Sequence, residues 1–417
     1  MIYQPPSGAR DLFPLDVAQK RWIEDRLEAV FHGWGYHRII TSTVEHMDTL
    51  MAGGAINQSD VIELQGSQGE RLGLRPELTA SIARAAVART DTVTYPQRLC
   101  YSANVFRRSA TGSHGGQQEY YQAGVELIGA SGLLADAEVL LLAADCLKAV
   151  GLDRWHLILG EADLTRSLLR PFPEPLRSQV RVAIAALDRV TLEALPMPPE
   201  LRDHALKLTD LRGAPHAVLD AVSKLDLDEQ QQSIVNGLQS LINLLEKLVA
   251  PPKAQPKDTV AGKHGPELIL DLSLIQPFDY YTGIVFEMVG GTPREVVSQG
   301  GRYDHLLSQY HPQGKGYPGV GFVLNVDALQ QVLLPHGQLP GQTPPTDWLV
   351  VATTPQAAAA ALAYADKIRQ SANLVRVELN LDMNQPPDVL RSQAQQRKIT
   401  RIAWIRDDGL PEIEAVG

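Results

Sequence analysis

The sequence predicts an α+β fold, with an antiparallel sheet core, flanking helices, a helical insertion and a small C-terminal α/β domain. Two long, partly alternating runs, Arg98–Arg107 and Gln118–Ile128, enclose a Gly- and Ser-rich loop, which is typical of a hairpin of two long strands. From about 164 to 249, Leu, Ala and Val recur at spacings of three and four, which predicts helices. Beyond Thr346, strand-like and helix-like runs alternate, which indicates a small α/β unit.

The elements around the hairpin follow from apolar spacing. Apolar side chains recur at helical spacing over 15–33, and the glycines that follow end that helix. Strand-like runs come next at His37–Thr41 and Arg71–Arg75, and a helix is expected to begin near Pro76, whose ring suits a first helical turn. After the hairpin, the patterns predict a helix at 133–150 and strands at 155–159, 268–270, 283–288 and 319–324.

The chain has 417 residues, which is too long for one ordinary domain. We expect a core domain at 1–335 that carries the helical insertion at about 164–260, a linker at 336–345 and the α/β domain at 346–417. The stretch Pro251–Gly265 is interpreted as a solvated loop that leads back to the core. The alternating elements of the last domain are Trp348–Ala352, Pro355–Gln370, Leu374–Leu379, Pro387–Gln396 and Ile399–Ile405.

The charge and composition of the chain limit its partners. The formal net charge is −10, and residues 346–417 hold eight Lys or Arg against nine Asp or Glu, so we expect no tRNA partner. No apolar run approaches the ~20 residues of a membrane helix, and the start lacks a secretion signal, so we expect no membrane partner. Cys100 and Cys146 lie in apolar surroundings, and the eleven His show no metal-ligand spacing. We expect a cytoplasmic protein without a metal site.

Five short segments, in this order along the chain, resemble the catalytic core of histidyl-tRNA synthetase, a class II aminoacyl-tRNA synthetase. The likeness runs from about Pro6 to about Leu333. It implies a class II sheet core in which the long hairpin is motif 2, and a C-terminal domain that is a shortened anticodon-binding domain. The segments are Leu74–Ser81, Val105–Ser109, Tyr121–Glu126, Gln276–Gly283 and Gln299–Asp304.

Seven residues in these segments form a candidate site for free histidine. Such a site needs acceptors for an ammonium group, and a carboxylate or phenol partner with flat walls for an imidazole. The resemblance implies that acidic and glutamine side chains contact the amino acid and that a tyrosine motif supplies the ring wall. The residues so assigned are Glu77, Thr79, Arg107, Gln122, Glu126, Tyr281 and Tyr303.

Simpler interpretations of these residues stay open. Glu77 could be only a charge in the first turn of a helix, and Gln122 and Glu126 could point from a strand into water. Tyr280 and Tyr281 would lie on opposite faces of an extended segment, so only one of them is expected to reach a given pocket. We expect Tyr281 to be that residue.

The residues that a synthetase uses to bind ATP are largely replaced. Adenylation requires cationic contacts that neutralise the phosphates of ATP as charge develops. The resemblance implies charged side chains at four positions where this chain has Ser109, Gln118, Gln276 and Ala328. Each charge-assisted contact is worth ~2.7–4 kcal/mol in the transition state, so their joint loss removes many orders of magnitude of rate. We therefore expect no catalytic residue, no cofactor and no ligase reaction.

The segment Gly35–Glu45 resembles motif 1, through which class II synthetases form dimers. Its apolar spacing is kept, but Ser42 stands where the class has proline. The resemblance therefore implies a dimer whose interface differs in detail.

A kept amino-acid pocket beside lost ATP contacts resembles the synthetase-like regulatory subunits of ATP phosphoribosyltransferase. That resemblance implies a non-catalytic chain, required by a short-form catalytic subunit in the first step of histidine biosynthesis, that takes part in feedback inhibition by histidine. It also implies a dimer within a hetero-octamer. Two alternatives stay open. A divergent histidyl-tRNA synthetase would show ATP–pyrophosphate exchange, and a free-standing histidine sensor would capture a different partner in a pull-down.

Overall fold

The computed structural model of the chain describes residues 4–54, 56–67, 69–89, 93–108, 116–249, 267–275, 280–291, 294–371 and 374–416. The chain divides into two compact units, Met1–Pro340 and Gly341–Gly417. The loop predicted at Pro251–Gly265 and most of the loop inside the motif 2 hairpin lie outside the described residues.

Strands and helices are interspersed along the described part of the chain. The strands are β1 (His37–Arg38), β2 (Val44–His46), β3 (Glu63–Gln65), β4 (Arg71–Leu74), β5 (Gln97–Phe106), β6 (Glu119–Ile128), β7 (Trp155–Glu161), β8 (Arg212–Gly213), β9 (Glu267–Asp271), β10 (Ile284–Gly290), β11 (Glu295–Arg302), β12 (Gly319–Asn325), β13 (Trp348–Ala352), β14 (Val377–Leu379), β15 (Arg401–Ile405) and β16 (Pro411–Ala415). The α-helices are α1 (Pro14–Gly33), α2 (Met47–Met51), α3 (Thr79–Val87), α4 (Leu133–Ala149), α5 (Ala162–Leu168), α6 (Leu176–Ala185), α7 (Arg189–Ala194), α8 (Pro199–Thr209), α9 (Pro215–Val222), α10 (Glu229–Val249), α11 (Leu306–Tyr310), α12 (Val326–Leu333), α13 (Ala358–Ser371) and α14 (Pro387–Gln396).

The large sheet of the first unit confirms the predicted antiparallel core. Its strand order in the described residues is β1-β5-β6-β12-β11-β10-β7-β9-β8. The predicted hairpin is confirmed, since β5 and β6 pair antiparallel from Gln97 opposite Ile128 to Phe106 opposite Glu119. The sheet is not antiparallel throughout, because β1 pairs with β5, and β7 with β9, in parallel. A smaller sheet, β2-β4-β3, precedes α3 in the sequence.

Helices cover the sheet where the apolar periodicity predicts them. Ile23, Leu27 and Phe31 recur every fourth residue along α1 and are all buried, and α1 contacts α4 and α12. The predicted helical insertion is present as α5 to α10, and α10 packs against α4. These helices bury one face of the sheet. The candidate site lies on the opposite face.

The structure corrects one predicted boundary and adds one strand that was not predicted. The helix expected near Pro76 begins at Thr79, because the Glu77 carboxylate accepts the backbone N–H groups of Thr79 and Ala80 and so forms the helix start. Strand β11 was not predicted, since its Gly300 and Gly301 have the composition of a loop. These glycines are needed inside the sheet, where a Cβ on Gly301 would lie 2.7 Å from the carbonyl oxygen of Ile284.

The second unit is a small sheet with helices on both faces. Its strand order is β14-β13-β15-β16, with β13 parallel to both β14 and β15. The antiparallel edge strand β16 was not predicted. Apolar side chains of α13 and α14 join two separate clusters on the two faces of this sheet. Among the described residues of the whole chain, we find no helix with the length and apolar character that crossing a membrane requires.

Candidate functional site

The candidate site is a cavity built on the middle of the large sheet. Strands β6, β11 and β12 form its floor, the start of α3 forms one wall, and the segment before β10 forms another. All seven residues assigned from the sequence lie in its lining. The lining residues are Glu77, Leu78, Thr79, Tyr101, Arg107, Gln122, Glu126, Tyr280, Tyr281, Gln299, Gly300, Gly301, Tyr303, Gly321, Phe322 and Val323.

Glu126 is the most deeply buried polar residue of this lining. Its side chain is 1% exposed, and its Oε1 accepts a hydrogen bond of 2.8 Å from Thr79 Oγ1. Tyr303 Oη donates to the other oxygen, Oε2. Gly321 faces Glu126 across the β6–β12 pair, and a Cβ at Gly321 would collide with Glu126 Oε2. The glycine in β12 therefore makes the room that the carboxyl group occupies.

Glu77 places a second buried carboxylate in the same cavity. Its Oε2 accepts the N–H of Thr79 at 2.5 Å, and its Oε1 accepts the N–H of Ala80 at 2.8 Å. These contacts show that Glu77 also organises the first turn of α3, in agreement with the simpler interpretation of the sequence. Since Gln122 and Glu126 are only 7% and 1% exposed, the interpretation that they point into water is wrong.

Burial makes both carboxyl groups costly to ionise. Desolvation raises the pKa of Glu126 to about 8, against the lowering effect of its bonds from Tyr303 and Thr79, and the charge of Glu77 raises it further. Desolvation likewise raises the pKa of Glu77, while its backbone hydrogen bonds and the Arg107 charge act in the opposite direction. A cation bound between the two groups would favour their ionised forms, so the cavity suits a cationic ligand group.

Arg107 supplies positive charge at the rim of the cavity. It follows β5 directly, is half-buried, and its Nε donates to the carbonyl oxygen of Pro76 at 3.0 Å. Its guanidinium group lies 6.0 Å from the centre of the Tyr120 ring. The site thus presents buried acids inside and an arginine at its edge, which suits a ligand that carries both an ammonium and a carboxylate.

The rings of Tyr280, Tyr281 and Tyr303 meet in the lining of the cavity. The ring of Tyr280 meets that of Tyr281 edge-on at 4.8 Å and that of Tyr303 at 6.0 Å between centroids. The prediction that only one of Tyr280 and Tyr281 reaches the pocket is wrong, because this segment is a turn and not an extended strand. The remaining cavity volume is about 30 Å³, which holds a water molecule or two but no amino acid.

Comparison with known proteins places this geometry in a family. The family model described as histidyl-tRNA synthetase matches residues 8–329. The ATP phosphoribosyltransferase regulatory subunits of Trichormus variabilis and Nostoc punctiforme are 59% and 57% identical to the chain, with 100% of each protein and of this chain covered. The chain belongs to the family of ATP phosphoribosyltransferase regulatory subunits. In keeping with that family, it is a non-catalytic subunit on a synthetase-like fold.

Solved structures agree with the fold. A structure from Bacillus halodurans, described as an ATP phosphoribosyltransferase regulatory subunit/histidyl-tRNA synthetase, has a TM-score of 0.79 and 27% identity, and the match covers 97% of this chain and 99% of that one. Histidyl-tRNA synthetase from Nostoc sp. PCC 7120 has a TM-score of 0.75 over 99% of this chain and 97% of its own, at 20% identity. The second likeness concerns the fold alone.

Two of the positions where the synthetase resemblance implies charged side chains, Gln118 and Ala328, take part in contacts within the chain. Ala328 lies in the first turn of α12, where its N–H bonds to Asn325 Oδ1 at 3.1 Å. Its neighbour Asp327 accepts the backbone N–H of Tyr121 at 2.8 Å and pairs with Arg10. The backbone N–H of Gln118 bonds to the carbonyl oxygen of Gly8 at 2.8 Å. Ser109 and Gln276 lie outside the described residues.

Sequence reasoning missed some residues of the cavity. Tyr280 was excluded because its segment was assumed to be extended, and Tyr101 gave no signal because it lies inside the regular pattern of β5. Gly301 and Gly321 carried a signal that was overlooked, since a glycine inside a strand often marks a close approach of another group.

Proposed function

We propose that this chain binds free histidine in the cavity and acts as the regulatory subunit of an ATP phosphoribosyltransferase, required by a short-form catalytic subunit. The observation that carries the proposal is the pair of buried carboxyl groups, Glu77 and Glu126, in a cavity with Arg107 at its edge. Feedback inhibition follows if the histidine-bound form of this chain holds the catalytic partner in a less active state.

The ligand atoms are assigned by charge. The α-ammonium and the imidazole of histidine would lie between Glu77 and Glu126, and its carboxylate would face Arg107. Tyr281 and Tyr303 would contact the imidazole ring as flat walls. Gln122, buried at the floor beside them, has an amide that can both donate and accept.

Histidine binding must open the cavity, because about 30 Å³ is too small for the ligand. We assign this movement to Tyr280, since its ring contacts both of the other tyrosine rings. The chain then has two conformations, one with the cavity open and one with it closed, and histidine shifts the equilibrium towards the open one. That shift is the change that a partner subunit can sense.

The assembly proposed from the family is a dimer within a hetero-octamer. Support comes from exposed apolar side chains at motif 1 and at the start of α1, where Ile40 is 86% and Phe13 70% exposed in the single chain. A strict monomer in light scattering would contradict it. The near-neutral charge of 346–417 supports the absence of a tRNA partner, and the buried free thiols of Cys100 and Cys146 support a cytoplasmic location.

Two alternatives predict different results. A divergent histidyl-tRNA synthetase would exchange pyrophosphate into ATP in the presence of histidine, and Ala328 with Asp327 opposes this. A free-standing histidine sensor would bind histidine but leave a short-form catalytic subunit unaffected.

The deciding experiment mixes the purified chain with a short-form catalytic subunit and measures phosphoribosyl-ATP formation with and without histidine. The expected result is that the chain raises the rate and that histidine lowers it. Glu126→Gln should keep the activation and weaken the inhibition, whereas Glu193→Gln, an exposed acid of the helical insertion, should change neither. A catalytic subunit that is equally active without the chain would contradict the proposal.

A further inference from the structure

A second cavity lies where the helical insertion meets the core, and its volume is about 380 Å³. Helices α5 and α6 form one side, and Leu274, Ile275, Tyr281 and Val285 form the other. The volume falls in the range that small-molecule sites occupy, ~300–1,000 Å³. It is more than ten times the volume of the candidate histidine cavity. The two cavities share Tyr281 in their linings but are otherwise built from different residues.

The polar side of this cavity is positively charged. Arg177, Ser178 and Arg181 lie on one face of α6, and Arg166 projects from α5. The described lining holds three guanidinium groups and one carboxylate, that of Glu174, and Asp163, which is outside the lining, pairs with Arg166. Glu174 pairs with Arg177 at 3.5 Å, and both side chains are largely open to solvent, so this pair is weak and exchangeable.

Existing hydrogen bonds hold two of the arginines in place. Arg177 Nε donates to the carbonyl oxygen of Phe172 at 2.9 Å, and Arg166 Nη2 donates to that of Tyr281 at 2.8 Å. Arg177 Nη2 also donates to the carbonyl oxygen of Arg170 at 3.2 Å, and Arg166 Nη1 pairs with Asp163. A guanidinium group has five N–H donors, which is more than these contacts use, so each of the two arginines keeps donors for a ligand. Arginines held in this way lose little side-chain freedom when they bind an oxyanion.

An apolar wall also lines the cavity. It is formed by Leu169 of the insertion and by Leu274, Ile275 and Val285 of the core. An inorganic anion would leave this wall exposed to water, whereas an apolar body attached to the anion would cover it. We infer that this cavity is a second ligand site, which binds a small organic carboxylate with its anionic group on the arginines of α5 and α6 and its apolar body against the core. The inference does not depend on the proposed histidine site.

The test uses benzoate as the probe, titrated into the full-length chain and followed by ligand-observed NMR. Benzamide has the same shape without the charge, and inorganic phosphate has charge without the apolar body. The expected result is that benzoate binds and that benzamide and phosphate each bind at least about tenfold more weakly. Equal binding of benzamide would show that the arginines are not used, and equal binding of phosphate would show that the apolar wall is not used. Either outcome overturns the inference.

Matched variants locate the site. Arg181→Gln should weaken benzoate binding about tenfold, because it removes a charged donor from the cavity. Arg170→Gln removes the same charge from an exposed side chain outside the lining and should leave binding unchanged. Equal effects of both variants would indicate general attraction by net charge and would overturn the site. Circular dichroism checks that Arg181→Gln is folded, and Ile275→Thr, which shortens the apolar wall, is a second variant expected to weaken binding.

Discussion

The phenol of Tyr303 donates a hydrogen bond to Glu126 Oε2 at a position where both side chains are at most 2% exposed. Burial raises the pKa of Tyr303 well above its ordinary value, so this hydroxyl stays protonated and remains a donor. The contact joins the end of β11 to β6 across β12 and fixes the direction of the Glu126 carboxyl group. Together with the hydrogen bond from Thr79 to Oε1, it gives each carboxyl oxygen a donor within the protein.

Replacing Tyr303 by Phe should weaken histidine binding while keeping the ring wall. The change leaves a buried carboxyl oxygen without its donor, at a cost of ~1–3 kcal/mol. Calorimetry should show a loss of at least about fivefold in affinity. Tyr310→Phe is the matched control, because Tyr310 Oη donates to the carbonyl oxygen of Thr49 outside the cavity. Equal losses in the two variants would speak against a role of the Tyr303–Glu126 contact.

Glu77→Gln and Glu126→Gln should each weaken histidine binding at least tenfold. Each change removes a charged acceptor from a desolvated site, which typically costs ~2–5 kcal/mol. Calorimetry on the purified chain measures the effect, with Glu193→Gln as the exposed control. Unchanged binding in both variants would place the histidine site elsewhere, in the catalytic partner or between subunits.

The free energy of unfolding should fall as the pH rises from about 5 to about 8. The pKa of Glu126 is about 8 in the folded chain and near 4.5 when unfolded, so the folded state holds the extra proton in that window. The stabilisation is therefore complete below the pKa of Glu126 in the unfolded chain. It is lost as the pH rises through the pKa of Glu126 in the folded chain. Glu161, whose pKa burial raises to about 7, acts in the same sense.

Urea unfolding at several pH values checks this dependence. Glu126→Gln should flatten the slope by up to ~1.4 kcal/mol per pH unit. Glu193→Gln should leave the slope as it is, because that side chain is exposed. A wild-type slope that Glu126→Gln does not alter would show that Glu126 ionises normally in the folded state.

Gly321→Ala should abolish histidine binding and destabilise the chain. The new methyl group would collide with the Glu126 carboxylate, inside a strand whose backbone cannot shift freely. Gly316→Ala is the control, since its Cβ would have no neighbour closer than 3.8 Å. Thermal unfolding and calorimetry separate the effects on stability and on binding. A Gly321→Ala chain that binds histidine normally would be incompatible with the described packing.

The purified chain should show no ATP–pyrophosphate exchange with histidine, and Gln276→Arg alone should not restore it. One added cation leaves the neutral Gln118 and Ala328 at positions where the synthetase resemblance implies charged side chains, and the phosphates of ATP need several cationic contacts. The measurement is incorporation of labelled pyrophosphate into ATP, with a histidyl-tRNA synthetase as the positive control. Exchange at a rate typical of synthetases would falsify the loss of the ligase reaction.

Much of the fold could be predicted because its elements repeat a local pattern. The hairpin of β5 and β6 and the insertion helices carry a clear periodicity, and the motifs brought Glu77, Glu126 and Tyr303 together although they are far apart in the chain. The parts that were missed depend on contacts between strands. Gly301 belongs to a strand only because a neighbouring backbone comes close, and Tyr280 reaches the cavity only because its segment turns.

The division of the chain at Pro340 bears on how the two units can evolve. Every lining residue of the candidate histidine cavity lies before that boundary, and residues 341–417 build their own apolar clusters on both faces of β13 and β15. Selection on the ligand site therefore places no direct restraint on the C-terminal sequence. Mutations can accumulate in residues 341–417 without changing any residue that lines the cavity.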